Sequence, residues 1–258
     1  MLENVTSLST FAILAAGLMF GLKHATEVDH VVAVSTIVSQ HRSVFRSALV
    51  GLLWGAGHTA SLLLVGGTVL ALRVAIPEEV NTWLEFGVAL MIIGLGFAAL
   101  WRALHRSGTV HMHQHNHDGL SHVHIHFHEN ETKHEPSVRV PHSHAVSQVG
   151  WKPVLIGSVH GLAGSAALTI LVLTQVGSTW IGFVYLAIFG LGSIVGMVLM
   201  SGLIGIPFAL TSRHLASRHL TSRHLTYAHY HLQTVAAVLS ICFGAWYAYA
   251  SGALAGLF

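Results

Sequence analysis

Charge is scarce in this chain. Only 9% of its 258 residues are Asp, Glu, Lys or Arg, and its mean hydropathy is +0.64. A soluble domain carries about 25% charged residues, so the composition excludes an ordinary water-soluble globule and points to a chain solvated by lipid. One cysteine, Cys242 in an apolar run, excludes an internal disulfide framework. The net charge of +2 comes without a basic–aromatic surface, so no nucleic-acid partner is expected. A basic segment ahead of the first apolar run is also missing. The only charge there is Glu3, which argues against a cleaved signal peptide. His-Glu-x-x-His, the pair a zinc protease would need, is absent. So are clustered histidine boxes of the di-iron oxidase kind. No enzyme and no prosthetic group are expected.

What the chain has in excess is histidine, 22 residues in all. The most informative stretch is Gly21-Leu22-Lys23-His24-Ala25-Thr26-Glu27-Val28-Asp29-His30, flanked by apolar runs from Phe11 to Phe20 and from Val31 to Val38. Each ionisable group placed in hydrocarbon costs about 2.5–3.5 kcal/mol on insertion scales, which makes such groups functional candidates. Imidazole with carboxylate is ligand chemistry for a divalent transition metal. The plainer alternative, a polar helix end dipping into headgroups, suits one residue better than four in seven positions. On an ideal helix His24, Glu27 and His30 spread over about 120° of the surface, while Asp29 points nearly opposite Glu27. One regular helix therefore cannot aim all four at one ion. Either the helix opens near Lys23, or one carboxylate orients a ring nitrogen from behind.

The hydropathy pattern predicts six spans. They run from Leu8 to Leu22 with a continuation to Val38, then Val44 to Leu72, Trp83 to Leu104, Val154 to Leu173, Trp180 to Leu210 and Leu232 to Leu254. Two further histidines fall inside spans: His58, in Trp54-Gly-Ala-Gly-His58-Thr59, and His160, in Gly157-Ser-Val-His160-Gly161. A lone buried histidine is more often a packing residue, but the first motif needs more ligands than it holds.

Between the third and fourth spans the composition changes abruptly, with twelve histidines from His105 to His144. Two alternating quartets stand out: His111, His113, His115 and His117, then His122, His124, His126 and His128. Extended chain puts alternate residues on one face, and Asp118-Gly119 between the quartets suits a hairpin turn. The tract reads as an auxiliary, unselective metal buffer. A repeat of five, Thr211–Leu215, Ala216–Leu220 and Thr221–Leu225, forms no single helical face. It reads as a solvated basic loop.

Ten of the twelve basic residues fall in or beside the first, third and fifth loops, leaving Lys23 and Arg73 elsewhere. The positive-inside rule then puts the His-rich loop in the cytoplasm and both termini outside an inner membrane. The chain divides into a first membrane half (1–105), the His-rich loop (106–150) and a second membrane half (151–258). Gly21-x-x-His24 is echoed by Gly157-x-x-His160. Three spans per half require opposite topologies, as in inverted-repeat transporters. The expected fold is thus an all-α integral membrane protein of about six transmembrane helices in two inverted three-helix halves.

His24-Ala-x-Glu-x-Asp29-His30, Gly57-His58-Thr59 and His160-Gly-Leu-Ala-Gly-Ser-Ala-Ala167 together resemble the nickel/cobalt permease superfamily. Within it, the chain is most similar to the six-span branch associated with urease accessory proteins and nickel permeases. The resemblance covers nearly all the membrane portion. Its signature of His, four residues, then Asp-His falls on His24, Asp29 and His30 and implies that these bind the metal in transit, with Glu27, His58 and His160 as further candidates. Glu27 stands where aspartate is more usual, and longer members carry eight spans. The resemblance implies a secondary permease for Ni2+ or Co2+, with the ion as cargo and a metallochaperone or urease or hydrogenase maturation proteins as partners. Uptake is the expected direction. Efflux by the same fold is the alternative, followed by an intramembrane metalloenzyme and a metal-buffering scaffold.

Overall fold

The computed structural model describes residues 2–41, 43–74, 76–105, 110–117, 120–127, 149–163, 178–216, 223–254 and 256. Helix α1 (Leu2–His24) is followed by α2 (Val28–Val38), α3 (Val44–Leu72) and α4 (Glu78–His105). A hairpin comes next, β1 (Val110–His117) and β2 (Leu120–Phe127). Then come α5 (Lys152–Ala163), α6 (Thr179–Ala216) and α7 (Arg223–Leu254). Four of these helices are long and apolar enough to cross a membrane, five if the bent pair α1–α2 is one span. The rest of the expected fourth span, 164–173, lies outside the described residues.

The surface pattern is that of a membrane protein. Phe45, Leu64, Trp101 and Trp180 face outward, while Ser47, Ser193, Ser201 and Ser240 are buried. Lipid is as apolar as leucine, so no hydrophobic force drives large side chains inward and small residues instead let backbones approach. Gly157 of α5 abuts the Trp54 carbonyl of α3, and Gly57 of α3 abuts the Val154 carbonyl. At the α1–α6 crossing, Gly21 abuts the Phe189 carbonyl and Gly192 that of Leu18. Helices α3 and α6 pack on one another, as do α4 and α7, where Gly96 abuts the Ala237 carbonyl and Gly244 lies 3.1 Å from that of Ala89, measured to where its Cβ would be.

The polar stretch of the first span is where the helix opens. Helices α1 and α2 meet at 53°, with the break between His24 and Val28. Thr26 donates both its hydroxyl (2.6 Å) and its backbone N–H (2.8 Å) to the Lys23 carbonyl, tightening the chain where the helix ends. Glu27 then takes an extended conformation (φ −64°, ψ 148°) ahead of α2.

The alternating histidines form the hairpin. Strands β1 and β2 pair antiparallel, with His111 opposite His126, His113 opposite His124 and His115 opposite His122. The turn at Asp118–Gly119 and His128 lie outside the described residues. The five-residue repeat departs from the solvated loop expected of it: α6 continues to Ala216 and α7 begins at Arg223. Arg, Leu and Ala favour helix strongly enough to extend both helices beyond their apolar portions.

Candidate metal centre

Five side chains from α1, α2, α3 and α5 converge. The His24 and His58 Nε2 atoms are 3.2 Å apart. His30 and His160 have ring centroids 4.1 Å apart, and those of His24 and His30 are 4.5 Å apart. His30, His58 and His160 are buried, His24 nearly so, and Asp29 is partly buried. The bend makes this possible: His24 ends α1, while Asp29 and His30 occupy the first turn of α2. The C-terminal end of α1 carries the negative pole of its dipole, which favours a cation beside His24.

The carboxylates divide their work. Glu27, 52% exposed, accepts a hydrogen bond from His24 Nδ1 at 2.8 Å and so leaves Nε2 of that ring with its lone pair free for a metal. Asp29 lies further in. Its Oδ1 is 3.1 Å from His30 Nδ1 and accepts the His30 backbone N–H at 2.9 Å, and its Oδ2 is 2.9 Å from His160 Nε2. One carboxylate therefore holds two imidazoles from two helices. Ring nitrogens left without partners in a dry interior are costly. Among the described residues, His30 Nε2, His58 Nδ1 and His160 Nδ1 have none. A divalent cation is the ligand that a set of imidazole nitrogens and one carboxylate suits best.

The centre has aromatic walls that motif spacing did not announce. Trp54 lies parallel to His30 (centroids 5.8 Å apart, 13° between planes) and 5.6 Å from His160. Phe189 of α6 lies 5.5 Å from His24. Trp54 could have been found from its position one helical turn before His58, on the same face. Phe189 has no such signal, because it reaches the centre only through the α1–α6 crossing. Apolar clusters flank the centre along α3. Val34, Val38 and Val50 lie with Trp54 toward the start of α3; Leu62, Leu70, Tyr185 and Leu186 lie with Phe189 toward its end.

Because Glu27 touches only an imidazole, its loss should be the milder one. Glu27→Gln is expected to lower nickel transport by about tenfold, the lower end of what outer partners of metal ligands contribute. Nickel accumulation by expressing cells, normalised to membrane-inserted protein, measures this; a loss as large as that of Asp29→Asn would make Glu27 a direct ligand.

The chain is 36% identical over 254 residues to the urease accessory protein UreH of Bacillus sp. (strain TB-90), a match covering 96% of this chain and 95% of that protein. No protein-family model matches the chain, and no solved structure matches it.

Proposed function

The chain belongs to the family of the urease accessory protein UreH, and from that premise we propose that it is a secondary transporter moving nickel, and cobalt with it, into the cell. The observation that carries this reading is the convergence of His24, Asp29, His30, His58 and His160 between two apolar clusters. A structural role would not call for four histidines and a carboxylate in a lipid-solvated bundle. A carrier needs a site within the bundle that binds its ion in passage. The relative is named for an accessory role, and carriage rather than catalysis fits the donor set.

The inverted-repeat arrangement is part of the proposal. The contacts of one half have counterparts in the other. Exchanging α1 with α5 and α6 with α3 turns the Gly21–Phe189 approach into Gly157–Trp54, and Gly192–Leu18 into Gly57–Val154. It also turns the ring pair Phe189–His24 into Trp54–His160. At the α4–α7 crossing, Gly96 against Ala237 becomes Gly244 against Ala89. Halves of three spans related in this way run in opposite directions through the membrane.

With the basic loops inside, both termini are external and the histidine hairpin is cytoplasmic. The paired register positions of the hairpin suit a buffer that receives ions leaving the bundle and passes them to urease or hydrogenase maturation proteins. The same hairpin is the feature that favours the second reading, efflux, since it could equally load ions from the cytosol.

Cells expressing the protein should accumulate more nickel than vector controls when incubated in micromolar nickel. Lower accumulation than the control would reverse the direction, and equal accumulation together with unchanged nickel tolerance would remove transport altogether.

A further inference from the structure

The donor groups of the metal centre do not form one cage. Ligand atoms of His24, His30 and His58 lie within 4.8 Å of one another, and so do those of Asp29, His30 and His160. The two triads share His30 alone. That ring turns Nδ1 toward Asp29 (3.1 Å), while Nε2 is buried with no partner among the described residues. Its two nitrogens are thus divided, Nδ1 with the second triad and Nε2 left for the first. The 3.2 Å between the Nε2 atoms of His24 and His58 suits two nitrogens each bonded to one ion at about 2.0–2.1 Å.

The triads are displaced along the direction of α3. Trp54 borders His30 and His160, while His58, one turn further on, lies nearer His24 (ring centroids 5.1 Å apart) than His160 (6.0 Å). Phe189 lies beside His24, which belongs to the first triad alone, and Trp54 beside His160, which belongs to the second alone. These two histidines are the ones that follow the paired glycines Gly21 and Gly157, each packed on the backbone of the aromatic beside its histidine.

We infer that the centre comprises two successive stations for one ion, an all-imidazole station of His24, His30 and His58 and a mixed station of His30, His160 and Asp29. His30 is the pivot that belongs to both. The inference rests on the transport reading and adds to it how the ion advances. Two divalent ions held this close would repel strongly in a poorly screened interior, so the stations are filled in turn. As the ion moves, it leaves Nε2 of His30 for Nδ1; the proton that Nδ1 shares with Asp29 is released and Nε2 takes one up, so the ring changes tautomer with no net change in charge. Because the halves run oppositely, one station is reached from each side of the membrane. The first station also discriminates: magnesium and calcium prefer oxygen ligands and find none among its three imidazoles.

The experiment uses the full chain with the hairpin histidines (111, 113, 115, 117, 122, 124, 126 and 128) changed to serine, so that only the buried centre binds tightly. Nickel affinity and nickel flux are then measured for His58→Ala, His160→Ala and the double variant. Elution as a single species and unchanged helical circular dichroism establish folding, and His58→Gln and His160→Gln repeat the test with larger side chains. Each single variant should bind nickel within about twofold of the parent, since the ion retreats to the intact station and loses only the alternative. Each should nevertheless lose nearly all flux, and the double variant should bind about a hundredfold more weakly. If either single variant binds as poorly as the double, the five groups act as one cage and the two-station inference falls. If either retains parental flux, the stations are not successive. Absence of tight nickel binding and of flux in the parent itself would instead overturn the transport reading, a result distinct from both.

Discussion

Asp29→Asn is expected to reduce nickel transport by about a hundredfold or more while leaving the protein in the membrane. The carboxylate faces His30 Nδ1 and His160 Nε2 with different oxygens and also accepts the His30 backbone N–H. Asparagine keeps the shape but replaces one acceptor with an NH2 donor, so one imidazole would face a donor and turn away. Removing a single outer partner of a metal ligand costs about 10–100-fold, and here one substitution disturbs two rings at once. His30→Ala should be as severe, since that residue belongs to both triads. Metal accumulation by expressing cells, normalised to membrane-inserted protein, measures both. Normal accumulation in both variants would remove the motif from the pathway.

The second large effect concerns packing rather than ligands. A Cβ at Gly157 would run into the Trp54 carbonyl and lie 2.9 Å from the Trp54 carbonyl carbon, and backbone cannot yield as a flexible side chain can. Gly157→Val should therefore push α5 away from α3, carrying His160 from Asp29 and loosening Trp54 from the centre. Ordinary overpacking costs about 1–3 kcal/mol, and a clash with backbone at a helix crossing belongs at or above the top of that range. Transport should fall at least tenfold, with a lower thermal unfolding midpoint in detergent. Gly87→Val and Gly94→Val are the controls, because a Cβ at either meets nothing within 4 Å. Equal losses in these controls would mean that any added bulk in a span is harmful and that the α3–α5 crossing has no special role.

Much of this architecture was legible in the residues. The apolar runs located the long helices, because lipid solvation requires uninterrupted apolar stretches. The angular conflict among His24, Glu27, Asp29 and His30 foretold either a broken helix or a carboxylate acting from behind a ring. The structure has both features, the bend after His24 and Glu27 behind the His24 imidazole. The alternation of histidines and the Asp-Gly between them anticipated a hairpin, as period two does when side chains alternate across extended chain. Less legible were the walls of the centre. Phe189 is an ordinary apolar residue in an apolar helix until Gly21 lets α1 approach its backbone. The five-residue repeat misled because its lack of an amphipathic face says nothing about a helix that simply projects past the bilayer.

Nickel flux into proteoliposomes containing the purified protein shows whether the chain itself carries the ion and whether Asp29 is needed for it. The parent should give saturable, time-dependent entry of radioactive nickel, and Asp29→Asn, reconstituted at the same density, should give no more than protein-free vesicles. Flux in the parent no greater than in protein-free vesicles, or the same flux in parent and Asp29→Asn, would contradict the account.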